Sequence, residues 1–170
     1  HLPYGGFAQQ DDAAWRHGFD LVVMSAVRLV RAALPALRAA APGHAAILFI
    51  GSASTREPGG LLLSNAMRGA VAGLAKTLAA ELAADRIRVN TLAPGYVDSG
   101  RIAQRKAAMA AEGVAEAEML RRIAGGGLPL GRLGRAEEMA DVAAMLLSPR
   151  AGYVTGATLA ADGGMSRGVF

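Results

Sequence analysis

Ser64 and Arg68 stand four residues apart in LSNAMRGAVAGLAKTLAAEL (63–82), so a hydroxyl and a guanidinium share one line of a helix. Ser52 follows Gly51 at the carboxyl end of a short apolar run, AAILFI (45–50). A hydroxyl and a permanently protonated cation can bind a substrate oxygen or carboxylate and stabilise charge on it. The alternative reading of Ser64 and Arg68 is ordinary helix surface. Tyr96, beside Pro94-Gly95, offers a phenol with a reference pKa of about 10, either as an acid or as a wall of a pocket. His1, His17 and His44 have no spacing suited to a shared metal and no carboxylates clustered with them, so no metal site is expected.

The elements that must hold these groups follow from periodicity and turn residues. Residues 1–10 (HLPYGGFAQQ) read as loop. Asp11 and Asp12 suit the N-cap and first turn of one long helix, or two successive ones, running to about Ala41, with a kink at Pro35 and a stop at Pro42-Gly43. Residues 45–50 form a continuous apolar run bounded by turn signals, which predicts a fully buried strand. A polar loop rich in Gly and Pro (51–60) separates it from the central helix. There Leu63, Met67, Ala70, Val71, Leu74, Leu78 and Leu82 recur at helical spacing and predict a core-facing stripe. Gly69 and Gly73 lie one turn apart in the same helix, where each costs about 1 kcal/mol relative to Ala, which points to a second backbone passing close by.

Asp85 closes that helix, and Ile87–Leu92 predicts the next strand, ending in Ala93-Pro94-Gly95. Residues 98–125 read as an Ala-rich helical excursion ending in Gly125–Gly127, suited to a lid. Glu137 and Glu138 open another helix and Ser148-Pro149 ends it. A short strand over 157–161 precedes Asp162-Gly163-Gly164. The alternation predicts a single α/β domain with a parallel sheet wrapped by helices. Three strands make a thin sheet, and the free edge of the 45–50 strand requires cover, from another chain or from a longer protein.

Composition narrows the chemistry. The 170 residues are 52% hydrophobic and only 5% aromatic, so the core is built from Ala, Leu, Val and Met. There is no Cys, which removes disulfides, thiolate nucleophiles and thiolate metal sites, and fits a reducing cytoplasm. No apolar run approaches the roughly 18 residues needed to span a bilayer, so no membrane partner is expected. The net charge of +4 comes from scattered Arg without interleaved aromatics, so no nucleic-acid partner is expected either.

Taken in order, Gly51-Ser52, RGAVAGLAKTLAAEL (68–82), Ile87-Arg88-Val89-Asn90, Pro94-Gly95-Tyr96-Val97, PLGRLGRAEEMADVAAMLLS (129–148), Tyr153-Val154-Thr155-Gly156 and Asp162-Gly163-Gly164 resemble the short-chain dehydrogenase/reductase family, near its 3-oxoacyl-carrier-protein reductase branch. The resemblance extends over nearly the whole chain. It implies a Rossmann-like doubly wound sheet of which only the last three strands are present, with residues 1–170 forming the C-terminal part of such a protein. The Gly-rich turn that seats a pyrophosphate would then lie outside these residues.

The family's catalytic set is a Tyr, a Lys one helical turn later, a Ser after the preceding strand, and an Asn from the earlier helix. Carried over by position, Ser52 matches the Ser, Ser64 stands at the Tyr and Arg68 at the Lys, and Val22 falls near the Asn. Tyr4, Tyr96 and Tyr153 are followed four residues later by Ala8, Gly100 and Ala157, so none supplies another Tyr/Lys pair. Arg68 keeps the positive charge and can donate to ribose hydroxyls, but it cannot lose a proton in a relay. Val97 matches the position whose backbone bonds the carboxamide, and Ser99 the hydroxyl that touches the pyrophosphate. Asn90 and Asp162 read as structural residues near strand ends.

The resemblance implies an NAD- or NADP-dependent oxidoreductase acting on a carbonyl or alcohol, with a 3-oxoacyl thioester among the candidate substrates. The expected catalytic set is Ser52, Ser64 and Arg68, and the expected cofactor contacts are Arg68, Pro94, Gly95, Tyr96, Val97 and Ser99. The rival expectation is a catalytically silent homologue serving as a ligand-binding or structural subunit. Either form is expected to assemble as a dimer or tetramer through helices 11–41 and 63–82.

Overall fold

The computed structural model describes every residue except His1, Tyr4, residues 41–43, Glu57, Gly59, residues 125–127, Val169 and Phe170, with the side chain of Arg101 also outside the description. The helix stop expected at Pro42-Gly43 and the Gly125–Gly127 turn therefore lie outside the described residues.

Asp11 opens the first helix as expected, its carboxylate accepting from the Ala14 amide at 2.8 Å. Helix α1 (Asp12–Gly18) continues without a break through a π-helical segment (Phe19–Met24) into α2 (Ser25–Ala39). Pro35, where a kink is expected, lies inside α2, which continues to Ala39. The recorded departure from α-helical geometry lies earlier, at Phe19–Met24, where the Ser25 hydroxyl donates to the carbonyls of Leu21 (2.7 Å) and Val22 (3.2 Å). That wide turn keeps Val22 and Val23 on the same apolar stripe as Ala26, Val30, Leu34 and Leu37.

Strands β1 (Ala46–Ile50), β2 (Arg88–Pro94) and β3 (Thr158–Ala161) form one parallel sheet in the order β1-β2-β3. The α/β, Rossmann-like reading therefore holds. Helix α3 (Leu62–Glu81) connects β1 to β2. Its buried residues are Leu63, Met67, Val71, Ala75 and Ala79. Ala70, expected on the stripe, is exposed, because the contact follows a strict i+4 ridge rather than a wide apolar face. Full burial of each such Leu or Met contributes roughly 1.5–3 kcal/mol.

Alternation along β2 dresses both faces of the sheet. Val89 belongs to the cluster with α3 and α2, whereas Arg88, next to it, sends its guanidinium to the end of α6 (Ala136–Leu147). Arg88 is only 6% exposed and donates to the carbonyls of Leu146 (2.7 Å), Leu147 (3.1 Å) and Ser148 (3.0 Å). Asn90 ties β2 to the approach of β3, donating to the Val154 carbonyl and accepting from the Ala157 amide.

The expectation that β1 is fully buried is corrected. Among the described residues β1 pairs only with β2, and Ile50 is 58% exposed. A methyl group at Gly69 or Gly73 would meet nothing within 4 Å, so among the described residues no second backbone passes there. Between β2 and α6 the excursion is two helices, α4 (Gly100–Ala111) and α5 (Glu116–Ala124), joined by a bond from Arg105 to the Arg122 carbonyl at 3.2 Å.

Candidate active site

The carboxyl ends of β1 and β2 meet at Gly51, whose amide donates to the Leu92 carbonyl at 2.7 Å. A Cβ on Gly51 would lie 2.8 Å from the Thr91 methyl, so the close turn into Ser52 requires glycine. Ser52 is extended and caps a short 3-10 turn, Ala53–Thr55. Its hydroxyl oxygen accepts from the Ser54 amide at 3.2 Å and from the Ser54 hydroxyl at 2.9 Å. The Thr55 hydroxyl and amide both donate to the Ser52 carbonyl, at 2.8 and 3.1 Å.

Ser64 lies in the first turn of α3, and the Arg68 side chain joins the two serine-bearing elements. Its Nε donates to Ser64 Oγ at 3.3 Å, and its Nη1 donates to the carbonyls of Ile50 (3.2 Å) and Gly51 (3.0 Å). Ser52, Ser64 and Arg68 are thus brought to one place, around the end of β1. Arg68 turns out to be committed mainly to the protein itself: three of the guanidinium's contacts are internal. Neither serine hydroxyl receives a bond from a tyrosine among the described residues, and Tyr4 lies outside them.

Beyond β2 the chain turns at Pro94-Gly95, where a Cβ on Gly95 would fall 2.7 Å from the Asp162 Cα. Residues 96–98 then run beside Gly134. The Gly134 amide donates to the Tyr96 carbonyl at 2.9 Å, and the Asp98 amide donates to the Gly134 carbonyl at 2.8 Å. In such a parallel bridge the N–H and C=O of the middle residue point the other way, so Val97 turns a donor and an acceptor outward. Ser99 precedes α4 as its N-cap, and its side chain makes no capping bond.

Two clefts flank these elements. One, of about 470 Å³, lies between residues 5–7 and residues 54–66 and is lined by Ser54, Thr55 and Leu62 among others. The other, of about 300 Å³, lies at the carboxyl end of β3 and contains Tyr96 together with Arg132, Glu138 and Asp162. Tyr96 sits there as a wall residue, without a bond to Ser52. Asp162 accepts from the amides of Gly164 (3.0 Å) and Ser166 (2.9 Å), holding the turn after β3. Ser54 was not singled out in the sequence, although the pattern Gly-Ser-Ala-Ser (51–54) carries it two residues after Ser52. Among the described residues no group of His, Asp or Glu is placed to hold a metal, and no helix is long and apolar enough to cross a membrane.

Comparison with known proteins bears on the whole constellation. The family model described as enoyl-(acyl carrier protein) reductase matches residues 2–166. The 3-oxoacyl-[acyl-carrier-protein] reductase of Escherichia coli (strain K12) is 33% identical over 155 residues, covering 91% of this chain and 58% of that protein. A tropinone reductase homolog of Arabidopsis thaliana is 33% identical over 142 residues, 84% of this chain and 49% of that protein. The chain therefore spans about half the length of the curated relatives it matches. A solved structure from Pseudomonas aeruginosa PAO1, a short chain oxidoreductase containing an atypical catalytic center, superposes in its apo form with a TM-score of 0.89 at 32% identity, over 99% of this chain and 64% of that one. Its NADPH-bound structure gives 0.87 at 33% identity, over 99% and 63%. With the family model matched from residue 2 to residue 166 and the parallel sheet in place, the chain belongs to the short-chain dehydrogenase/reductase family.

Proposed function

We propose that the protein is an NAD- or NADP-dependent oxidoreductase acting on a carbonyl or alcohol, in which Ser64 and Arg68 take the places of the family's Tyr and Lys. A 3-oxoacyl thioester is one substrate compatible with this reading. The observation that carries it is Arg68, which bonds Ser64 and the carbonyls of Ile50 and Gly51 and so ties the helix bearing Ser64 to the strand end that leads into Ser52.

The residues present fit a nicotinamide cofactor. The outward N–H and C=O of Val97 are the donor and acceptor that a carboxamide requires, and Gly95 allows the turn that sets them there. Ser99, at the N-terminus of α4, has a hydroxyl and a helix end suited to phosphate oxygens. Pro94, Gly95, Tyr96 and Arg68 complete the contact set. When bound, the reduced cofactor supplies a hydride to the carbonyl carbon while the oxygen gains a proton. Ser52 holds that oxygen by donating to it, and Arg68 stabilises developing negative charge from behind the serine turn. Neither a serine hydroxyl nor a guanidinium yields a proton readily near neutrality, so the proton comes from water.

The chain is read as the C-terminal part of a longer Rossmann-type protein, one domain over residues 1–170. The uncovered edge of β1 and the length of the relatives support this. A cytoplasmic homo-oligomer, a dimer or tetramer joined through helices 11–41 and 63–82, is consistent with Leu29 at 71% exposure and with the open faces at Gly69 and Gly73. A second reading, a silent homologue that binds ligand or supports an assembly, is favoured by one observation: no described tyrosine reaches Ser52 or Ser64.

A fluorescence titration of the full-length protein with NADH and NADPH separates the two. Binding of at least one, with turnover of a simple ketone, is expected. Binding of neither would remove the enzyme reading.

A further inference from the structure

Glu138 stands in the first turn of α6, yet most of its carboxylate is turned back along the chain. Its two oxygens accept from the terminal nitrogens of Arg132 at 2.7 and 2.8 Å, and one of them also accepts from the Arg135 amide at 2.8 Å. The bond from the Arg135 amide is what capping a helix start requires. The pair with Arg132 is not, because Arg132 precedes the cap and carries no orphan amide of α6. Arg132 also donates to the Leu133 carbonyl at 3.0 Å. One carboxylate therefore grips the chain on both sides of Leu133-Gly134.

Gly134 is the residue that faces Val97. Its amide donates to the Tyr96 carbonyl at 2.9 Å and its carbonyl accepts from the Asp98 amide at 2.8 Å, an isolated bridge outside the three-stranded sheet. A lone bridge has no adjoining ladder to hold its register, so it is only as firm as the two segments that form it. On one side Val97 follows the close turn at Pro94-Gly95. On the other, residues 132–135 are irregular backbone, preceded by Gly131 at a φ of 70°. Leu133, 7% exposed, anchors that segment in the interior, and the bonds to Glu138 close it at the surface. Tyr96, Arg132, Gly134 and Glu138 line one cleft, so the ion pair and the bridge share a wall.

We infer that Glu138 is a positioning residue for the nicotinamide: by holding Arg132 and the Arg135 amide it fixes Gly134, and through the bridge it sets the outward N–H and C=O of Val97. This rests on the proposed function, which places the carboxamide at Val97. Glu138 acts without touching the cofactor, and its effect falls on the nicotinamide end alone.

The test uses the full-length protein as wild type, Glu138→Ala, Glu138→Gln and Glu137→Ala. Glu137 lies in the same first turn, is exposed and takes no part in these contacts, so its variant removes an equal charge from the helix start. Fluorescence titration with NADH and NADPH is run beside calorimetric titration with ADP-ribose and its 2′-phosphate, which lack the nicotinamide. Glu138→Ala is expected to weaken the dinucleotide that wild type binds by about three- to tenfold, leaving the matching fragment unchanged. Glu138→Gln should lie between, since an amide oxygen still accepts from the Arg135 amide but its nitrogen cannot accept from Arg132. Glu137→Ala should bind both as wild type does. Hydrogen exchange on the protein without nucleotide gives a second reading: the Gly134 and Asp98 amides should exchange faster in both Glu138 variants, and at the wild-type rate in Glu137→Ala. Unaltered dinucleotide affinity in the Glu138 variants, or an equal loss for dinucleotide and fragment, overturns the positioning role. So does unaltered exchange at both amides. Binding of neither NADH nor NADPH by wild type overturns the proposed function, whereas faster exchange in the Glu138 variants would still show that Glu138 holds the bridge.

Discussion

Arg68 donates to the Gly51 carbonyl at 3.0 Å, and the same nitrogen reaches the Ile50 carbonyl at 3.2 Å. These are the last carbonyls before Ser52, so the cation of α3 holds the strand end from which the serine turn starts. A guanidinium suits this role because its nitrogens lie in a fixed plane and can serve Ser64 and the strand together. An ammonium is a point charge on a flexible stem. Arg68→Ala is therefore expected to lower stability by about 1–3 kcal/mol and the melting temperature by roughly 5 °C. Arg68→Lys should recover only part of this. Thermal melts of the three proteins check it, and an unchanged melting temperature in Arg68→Ala would show that these bonds are incidental.

Restoring the family's acid tests the catalytic reading separately. General acid–base catalysis contributes typically 10²–10⁴-fold, and neither Ser64 nor Arg68 supplies it. The double variant Ser64→Tyr with Arg68→Lys should raise turnover of a simple ketone, by an amount reduced through the weaker strand contact just described. Arg68→Lys alone should not raise it. Steady-state rates with saturating cofactor decide this; a double variant no faster than wild type means that the residue 64 position does not face the reacting oxygen.

Most of the architecture was legible in the chain because its signals are local. The apolar run before Gly51, the apolar stripe from Leu63 to Leu82 and the acidic start of α6 each specify an element without reference to distant residues. What the residues do not announce is where a long side chain ends. Arg68 reads as one turn beyond Ser64, but its attachment to Ile50 and Gly51 depends on how α3 crosses β1. Arg88 reads as an interruption in an apolar strand, and only the position of α6 explains it. The burial of β1 was misjudged for a related reason: an apolar run records the environment a strand is made for, and no described residue pairs with the outer edge of β1. Ser54 was passed over because its contact is a bond to another serine, which its own spacing does not announce.

Arg88 offers a prediction that concerns only the fold. Its guanidinium is the cation at the C-terminus of α6, where it donates to three carbonyls, of which that of Ser148 also accepts from the Ala151 amide at 3.1 Å. Arg88→Ala leaves those carbonyls beside a void, so a loss of about 3 kcal/mol and roughly 10 °C in melting temperature is expected. Arg88→Met, which fills the space without the bonds, should recover some of the packing and none of the capping. A melting temperature within a degree or two of wild type in Arg88→Ala would mean that α6 is held by its apolar face alone.

The start of α6 predicts a dependence on pH. Glu138 accepts from both terminal nitrogens of Arg132, at 2.7 and 2.8 Å, and from the Arg135 amide at 2.8 Å. Arg132 first, and then the Arg135 amide, hold its carboxyl at about 2, below its ordinary 4.5. The folded value lies below the unfolded one, so the charged carboxylate favours the fold fully above about pH 4.5. That contribution disappears as pH falls toward 2. The difference in melting temperature between wild type and Glu138→Gln should be constant from pH 7 to about 5 and shrink between 4.5 and 2. It should also shrink in high salt, since the pair is open to solvent. A difference that grows on acidification would contradict the assignment.

Gly69 and Gly73 separate the stability of α3 from its use as a contact surface. Both sit inside a 20-residue helix, and a methyl group on either meets nothing within 4 Å. For an isolated chain, Gly→Ala at each position favours the helix by about 1 kcal/mol. If α3 packs against another subunit, the same methyl groups stand where the two helices approach most closely. The variant carrying both changes is therefore expected to melt higher when dilute, yet to dissociate at higher protein concentration than wild type in analytical ultracentrifugation. A raised melting temperature with an unaltered assembly would place the subunit contact elsewhere on the molecule.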